Sequence, residues 1–217
     1  MTNGSRSSDN DPRATTGVPE PVIAAIESHL KQRELRREEL YQRSRHLRRL
    51  AQSAMTALHA ARGAPSSIAD VRRELGELAE TLRREGRGDE GLALDAMQEG
   101  VEAVLLAAIA ARSPLPGPGE LGVEPEPYLL GLGDVVGEVR RLVLERLAHD
   151  DLPGAEEKLA LMDALARDLM RFDTTRAIVQ LKPKQDAARS LLERTRGEVV
   201  MARLHLRSYA AAAREER

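Results

Sequence analysis

Four carboxylates are spaced so that they could do chemistry together. Glu99 and Glu102 lie in MQEGVEAVLLAAIAA, and Asp134 and Glu138 lie in YLLGLGDVVGEVRRLVLERL. Both segments predict helix, where residues three or four apart share a face. If the two helices pack antiparallel, four acidic side chains converge on one point. Such a cluster opposes its own ionisation. A divalent cation relieves it, and hard carboxylate oxygens suit Mg2+ or Mn2+. Spacing alone is a weak signal, because 31% of the residues are charged and paired acids also arise on solvated helix faces. The surroundings strengthen it. Glu102 runs into AVLLAAIAA, and Asp134 and Glu138 are embedded in LLGLGDVVGEV. Acids are seldom placed among apolar residues without a partner or a metal. Asp95, one helical turn before Glu99, is a candidate fifth member. Glu145 reads as solvated or salt-bridged.

The elements that must position these acids are helices. In 217 residues the aromatic fraction is 2%, and Ala, Leu, Arg and Glu dominate. That composition favours helix throughout and offers no strand-rich window. There is no cysteine, which excludes disulfides, thiolate metal sites and cysteine nucleophiles. The formal charge of −2 excludes a globally basic nucleic-acid binder and leaves local patches open. No apolar run approaches the roughly 20 residues that span a bilayer, and the first residues lack the apolar stretch of a secretory signal. The expectation is a soluble, cytoplasmic protein without membrane partners.

Along the chain, residues 1–17 predict a disordered tail and 18–217 a single helical domain. A long first helix is expected from Pro21 to Arg62, with Leu40, Leu47, Leu50, Ala54, Leu58 and Ala61 forming one apolar seam. That seam is longer than a small bundle can cover, which predicts pairing between subunits. GAPSS is a stop, with Ser66 or Ser67 capping a second helix to Arg84. A third helix, Leu92 to Arg112, carries the first acidic pair. SPLPGPGELGVEPEP is the strongest break. Further helices follow at Tyr128–His149, Ala155–Arg171 and about Thr175–Ala213, with Pro183 marking a kink or a later start.

ELGVEPEPYLLGLGDVVGEVRRLVLERL resembles the central stretch of the translin superfamily, in which Tyr-Leu-x-Gly opens a helix. QEGVEAV, Gln98 to Val104, resembles the preceding helix of translin-associated factor X (TRAX), the nuclease branch. AEEKLALMDALARDLMRFD and LKPKQDAARSLLERTRGEVV match the last two helices more loosely. The resemblance covers about residues 22–208. Position by position, it places Glu99, Glu102 and Asp134 on that branch's metal-binding catalytic acids and Glu138 on a further acid of the same pocket. It implies an all-α bundle of about seven helices with a long first helix. It further implies a Mg2+- or Mn2+-dependent endoribonuclease, of microbial, archaeal type, that encloses RNA in a hollow homo-oligomer of eight subunits. Gly100 stands where the branch tends to carry an aromatic residue, and the loop between the motif helices is shorter than in the eukaryotic subunit. The Arg/His segment that translin uses on RNA is matched approximately by LRREGRG.

Basic residues give the second signal. Between Lys31 and Arg49 stand eight Lys/Arg against three Glu, and Arg83, Arg84 and Arg87 form a second cluster. Phosphate contact is the functional reading, with Arg45, Arg48, Arg49, Arg83, Arg84 and Arg87 as the RNA-binding candidates. A solvated helix face accounts for the same run of charge. With one Phe, three Tyr and no Trp, recognition should follow backbone and shape. His29, His46, His59, His149 and His205 show no ligand or triad spacing and read as surface or packing residues, His46 being a lesser RNA-contact candidate. Two other functions fit the acids: a non-catalytic translin-like binder of RNA or single-stranded DNA, and an all-α nucleoside triphosphate pyrophosphohydrolase. The latter normally has a three-residue interval in its second acidic pair, where this chain has Asp134 and Glu138 four apart.

Overall fold

The computed structural model describes residues 17–60, 67–85, 90–173 and 178–215. Among them there are seven helices and no strand: α1 Glu20–His59, α2 Ser67–Glu85, α3 Glu90–Ala110, α4 Pro118–Leu121, α5 Pro125–Ala148, α6 Leu152–Met170 and α7 Lys182–Glu215. The all-α expectation of about seven helices is met. Most of the expected tail, Ala61 of the seam and Arg87 lie outside the described residues. No described helix is long and apolar enough to cross a membrane.

Local chemistry sets the boundaries. Asp151 caps α6 by accepting from the Gly154 N–H at 2.9 Å. Glu124 caps α5 from extended backbone, and Pro125 occupies the first turn, where a missing N–H costs nothing. Pro183 does the same for α7, so that helix begins at Lys182 rather than near Thr175. The short α4 lies inside the segment expected to be a break, and it ends on Gly122 in the left-handed region at φ +67°.

The chain divides into two units, Met1–Glu39 and Leu40–Arg217. In the first, the described part of α1 exposes Val22, Ile23, Ile26, Leu30 and Leu35. In the second, one apolar core takes residues from every helix, with α5 at its centre against α3, α6 and α7. Leu40, Leu47, Ala51 and Ala54 of α1 are buried in that core. Leu40, Leu47 and Ala54 of the expected seam are therefore covered within the chain, Leu50 and Leu58 are half-buried, and the exposed apolar residues lie upstream of it. At Leu47 the room comes from Gly100, whose missing side chain lets Leu47 and Leu75 come within 3.3 Å of where a Cβ would stand.

The direction of the motif helices departs from the antiparallel expectation. Gln98 pairs with Asp134, and further along Leu106 and Ile109 line the same cavity as Leu142 and Glu145. α3 and α5 therefore run parallel. Residues 111–124 make this possible by carrying the chain back along the bundle. Gly122 accepts from Arg83 Nη2 of α2 at 3.2 Å on the way. α7 runs parallel to α5, since Lys184 meets Asp134 and Arg140 meets Glu198. α6 runs opposite to α7: Gln185 donates to the Leu169 and Phe172 carbonyls at 3.0 and 2.8 Å, and Arg203 pairs with Glu156.

Two glycines of α5 set its distance from its neighbours. A Cβ on Gly131 would lie 2.8 Å from the Gln98 carbonyl oxygen and 2.8 Å from Val101 Cγ1. A Cβ on Gly133 would lie 2.8 Å from Lys184 Cβ. Backbone cannot yield as a flexible side chain can, so Gly131→Ala must push α3 and α5 apart. We expect a destabilisation of about 1–3 kcal/mol, or roughly 2–4 °C in Tm for each kcal/mol, measurable by thermal denaturation followed by circular dichroism.

Candidate active site

The parallel register brings the four acids together. α3 contributes Glu99 and Glu102, α5 contributes Asp134 and Glu138, and Glu102 feels the charge of all three others. Burial and these like charges push the Glu102 carboxyl up to about 7. Burial also raises Glu99, against the pull of Arg48 and Gln52. Asp95 is exposed and acts on Glu99 only as a nearby negative charge. Glu145 is exposed two turns beyond Glu138 and offers its backbone carbonyl to His149 Nδ1 at 2.7 Å.

The cluster is held by groups from the first and last helices. Arg48 Nε lies 3.1 Å from Glu99 Oε1, an ion pair without hydrogen-bond alignment. Gln52 donates to the other oxygen of Glu99 at 3.5 Å. On Asp134, Lys184 Nζ takes one oxygen and Gln98 Nε2 donates to the other. His59 Nε2 lies 2.7 Å from Glu138 Oε2. Glu102 alone among the four has no hydrogen bond or ion pair among the described residues, which agrees with its raised pKa. As placed, no three Asp, Glu or His side chains of the described residues stand close enough to form a metal ligand set. The donor chemistry nonetheless fits a hard divalent ion. The oxygens are all carboxylate, and Glu102, with no hydrogen bond or ion pair among the described residues, could exchange its proton for a cation.

The sequence missed Lys184, Gln98, Gln52 and His59. His59 lies 79 residues from its partner and Lys184 lies 50 from its own, so no local spacing could reveal either. His59, read from the sequence as a surface or packing residue, hydrogen-bonds Glu138 in the structure. The arginine candidates separate into different surroundings. Arg48 belongs to the acid cluster. Arg83 is committed to Glu80 and the Gly122 carbonyl, and Arg84 pairs with Glu80 at 2.9 Å. Arg45 lies 5.7 Å from the Tyr41 ring centroid, and Arg49 and His46 are exposed.

The seven-helix bundle has the fold of the C3PO, translin-type proteins. The chain is similar to AfC3PO with a TM-score of 0.76 and 29% identity, over 85% of this chain and 98% of that one. It is similar to AfC3PO in a complex with duplex RNA with a TM-score of 0.68 and 28% identity, over 85% and 97%. Apo-NeC3PO, at 20% identity and a TM-score of 0.75 over 86% of this chain and 100% of that one, shares the fold. An uncharacterized protein of Methanocaldococcus jannaschii is 41% identical over 104 residues, 48% of this chain and 47% of that protein. The match thus spans about half the length of that relative. No family model matches the sequence.

The raised carboxyl of Glu102 has a consequence for stability. Its pKa is about 7 in the folded chain against an ordinary 4.5, so the folded state holds a proton that the unfolded state releases. Stability should fall as pH rises from 4.5 to 7 and stay low above it. In EDTA, Glu102→Gln should flatten this dependence. Above pH 7 it should raise stability by about 1–2 kcal/mol once solvent screening is allowed for, or about 3–6 °C in Tm. Thermal scans at several pH values check both.

Proposed function

We propose that this chain is a metal-dependent endoribonuclease of the translin-associated factor X type. The observation that carries the reading is the convergence of Glu99, Glu102, Asp134 and Glu138 from two parallel helices, with Glu102 left short of positive charge. The RNA substrate class follows from the likeness to AfC3PO, which has been seen with duplex RNA. Glu99, Glu102, Asp134 and Glu138 would hold Mg2+ or Mn2+. Such an ion, when bound, supplies Lewis acidity to a phosphodiester oxygen and lowers the pKa of water. The chain's own residues do the rest. Lys184 and Arg48 flank the acids and can turn to the phosphate oxygens once the carboxylates are neutralised. Gln98 fixes the rotamer of Asp134, and His59 fixes that of Glu138, each by holding one carboxylate oxygen. Water adds across the P–O bond, leaving a phosphate on one fragment and a hydroxyl on the other.

The assembly is read as a hollow homo-oligomer, with eight subunits as the expected number. The exposed Val22, Ile23, Ile26 and Leu30 of the first unit support self-association, since soluble chains rarely leave such a row uncovered. Light scattering should give a stable multiple of the 23.8 kDa chain. A concentration-independent monomer mass would count against the assembly.

Cleavage tests the activity directly. Short single-stranded and duplex RNA should be cut in Mg2+ or Mn2+ and spared in EDTA. Glu102→Gln and Asp134→Asn should each lower the rate by at least about 100-fold, as loss of a group acting on the reaction's charge does, while RNA still binds. Binding without turnover by the parent chain would point to a non-catalytic translin-like protein. Turnover of free nucleoside triphosphates in place of RNA would point to a pyrophosphohydrolase.

A further inference from the structure

Beyond the acid cluster, at the end of the bundle where α3 and α5 finish, lies a cavity of about 590 Å³. This is within the size range of small-ligand sites. It is continuous with the cluster through His59, which lines the cavity and bonds Glu138. Leu106 and Leu142 stand one helical turn beyond Glu102 and Glu138, about 6 Å along the axis. With Leu58 and Ile109 they give the cavity an apolar floor.

Two imidazoles line the same space, and both are pinned. His59 is held by Glu138 at 2.7 Å, and His149 Nδ1 by the Glu145 carbonyl at 2.7 Å. Flat rings held in place beside aliphatic side chains suit a nucleobase, and neither Tyr41 nor Tyr128 lines the cavity. Three cations also line it, Arg112, Arg146 and Lys158, against Glu145 as the one acidic residue of the lining. Their partners outside the lining compensate them incompletely. Glu157 serves both Lys158, at 3.1 Å, and Arg112, at 3.6 Å. Asp151, paired with Arg146 at 3.1 Å, also caps α6.

Arg112 is held at the rim at a backbone cost. α3 closes with Ser113 N–H donating to the Ala108 carbonyl at 2.9 Å, which puts Arg112 at the position glycine usually fills, with φ +52°. An L side chain is disfavoured there. Nothing in the packing of α3 requires arginine, whose side chain is 76% exposed. Strained residues gather where a site needs them.

We propose that this cavity takes the nucleotide next to the cleaved phosphodiester, with its base between His59, His149 and the apolar floor and its phosphate on Arg112 and Lys158. The inference rests on the nuclease reading above and adds to it the part of the RNA that sets the cleavage position. Duplex RNA would have to unstack a base to fill the cavity, so single-stranded or frayed ends are the preferred substrates.

The test uses the full chain and a fluorescein-labelled short single-stranded RNA. Affinity is measured in EDTA, and cleavage in Mg2+. Arg112→Gly with Lys158→Ala should weaken RNA binding about 5- to 20-fold and lower kcat/KM by a similar factor, mainly through KM. Arg112→Gly alone should keep or raise Tm, because glycine relieves the left-handed strain, so a loss of affinity there is not a loss of fold. Replacing the nucleotide beside the cut with an abasic one should weaken binding to the parent and to the double variant alike, because His59, His149 and the apolar floor remain in both. Unchanged affinity in the double variant overturns the proposal. So does an equal loss in Arg72→Gln, an exposed arginine of α2, which would assign the effect to general charge. A parent chain that never cleaves RNA removes the nuclease reading, and the EDTA affinities still judge the cavity.

Discussion

The backbone of α5 reaches the backbone of α3 at Gly131, and the site depends on that contact. With no Cβ in the way, the Gln98 carbonyl and the Val101 side chain close onto α5, and the turns above bring Glu102 level with Asp134 and Glu138. A bulkier residue there would push α3 and α5 apart and loosen the approach of the acids. The apolar residues around them, Val101, Val135, Val136 and Val139, are buried and fix the rotation of each helix. Close approach and rotation together turn a pattern that many solvated helices carry into a concentrated negative site.

Such a site is electrostatically expensive, and the fold offsets the cost from a distance. Arg48 of α1 and Lys184 of α7 bring positive charge to Glu99 and Asp134, His59 of α1 hydrogen-bonds Glu138, and Glu102 is left to its raised pKa. The close approach at Gly133 is part of the same arrangement, because it lets the stem of Lys184 lie against α5 and deliver the ammonium to Asp134. Elsewhere the α5–α7 contact is secured by Arg140, whose guanidinium holds both oxygens of Glu198 at 2.7 and 2.8 Å. That pair lies away from the acids and is structural.

Much of this was legible in the sequence, and the parts that were not share a cause. Helix periodicity, Pro and Gly punctuation and the two acidic pairs are local patterns, so the helices and the four acids could be read directly. The sense of α5 relative to α3 is decided by the path of residues 111–124, which a reader of Pro and Gly sees only as a break. The partners of the acids are remote: His59 and Lys184 carry no motif of their own, and only the packing of α1 and α7 gives them a role. The burial of part of the α1 seam was hidden for a related reason. Leu40, Leu47 and Ala54 repeat as an intersubunit stripe would, yet they are buried inside the same chain, with Gly100 on α3 making room for Leu47.

The placement of the counter-charges also bears on how the chain folds. α3 and α5 lie in the middle of the sequence, and the groups that neutralise them lie near its two ends. A partly folded chain with only the central helices docked holds the acids together with nothing opposite them, so it gains little from docking. Stability of the centre is thereby tied to arrival of both ends, which favours an all-or-none transition over a populated intermediate. Shortening the chain from either side, into α1 beyond Leu40 or into the first turns of α7, would remove more than the residues deleted. It would leave the middle of the bundle with a charge it cannot keep.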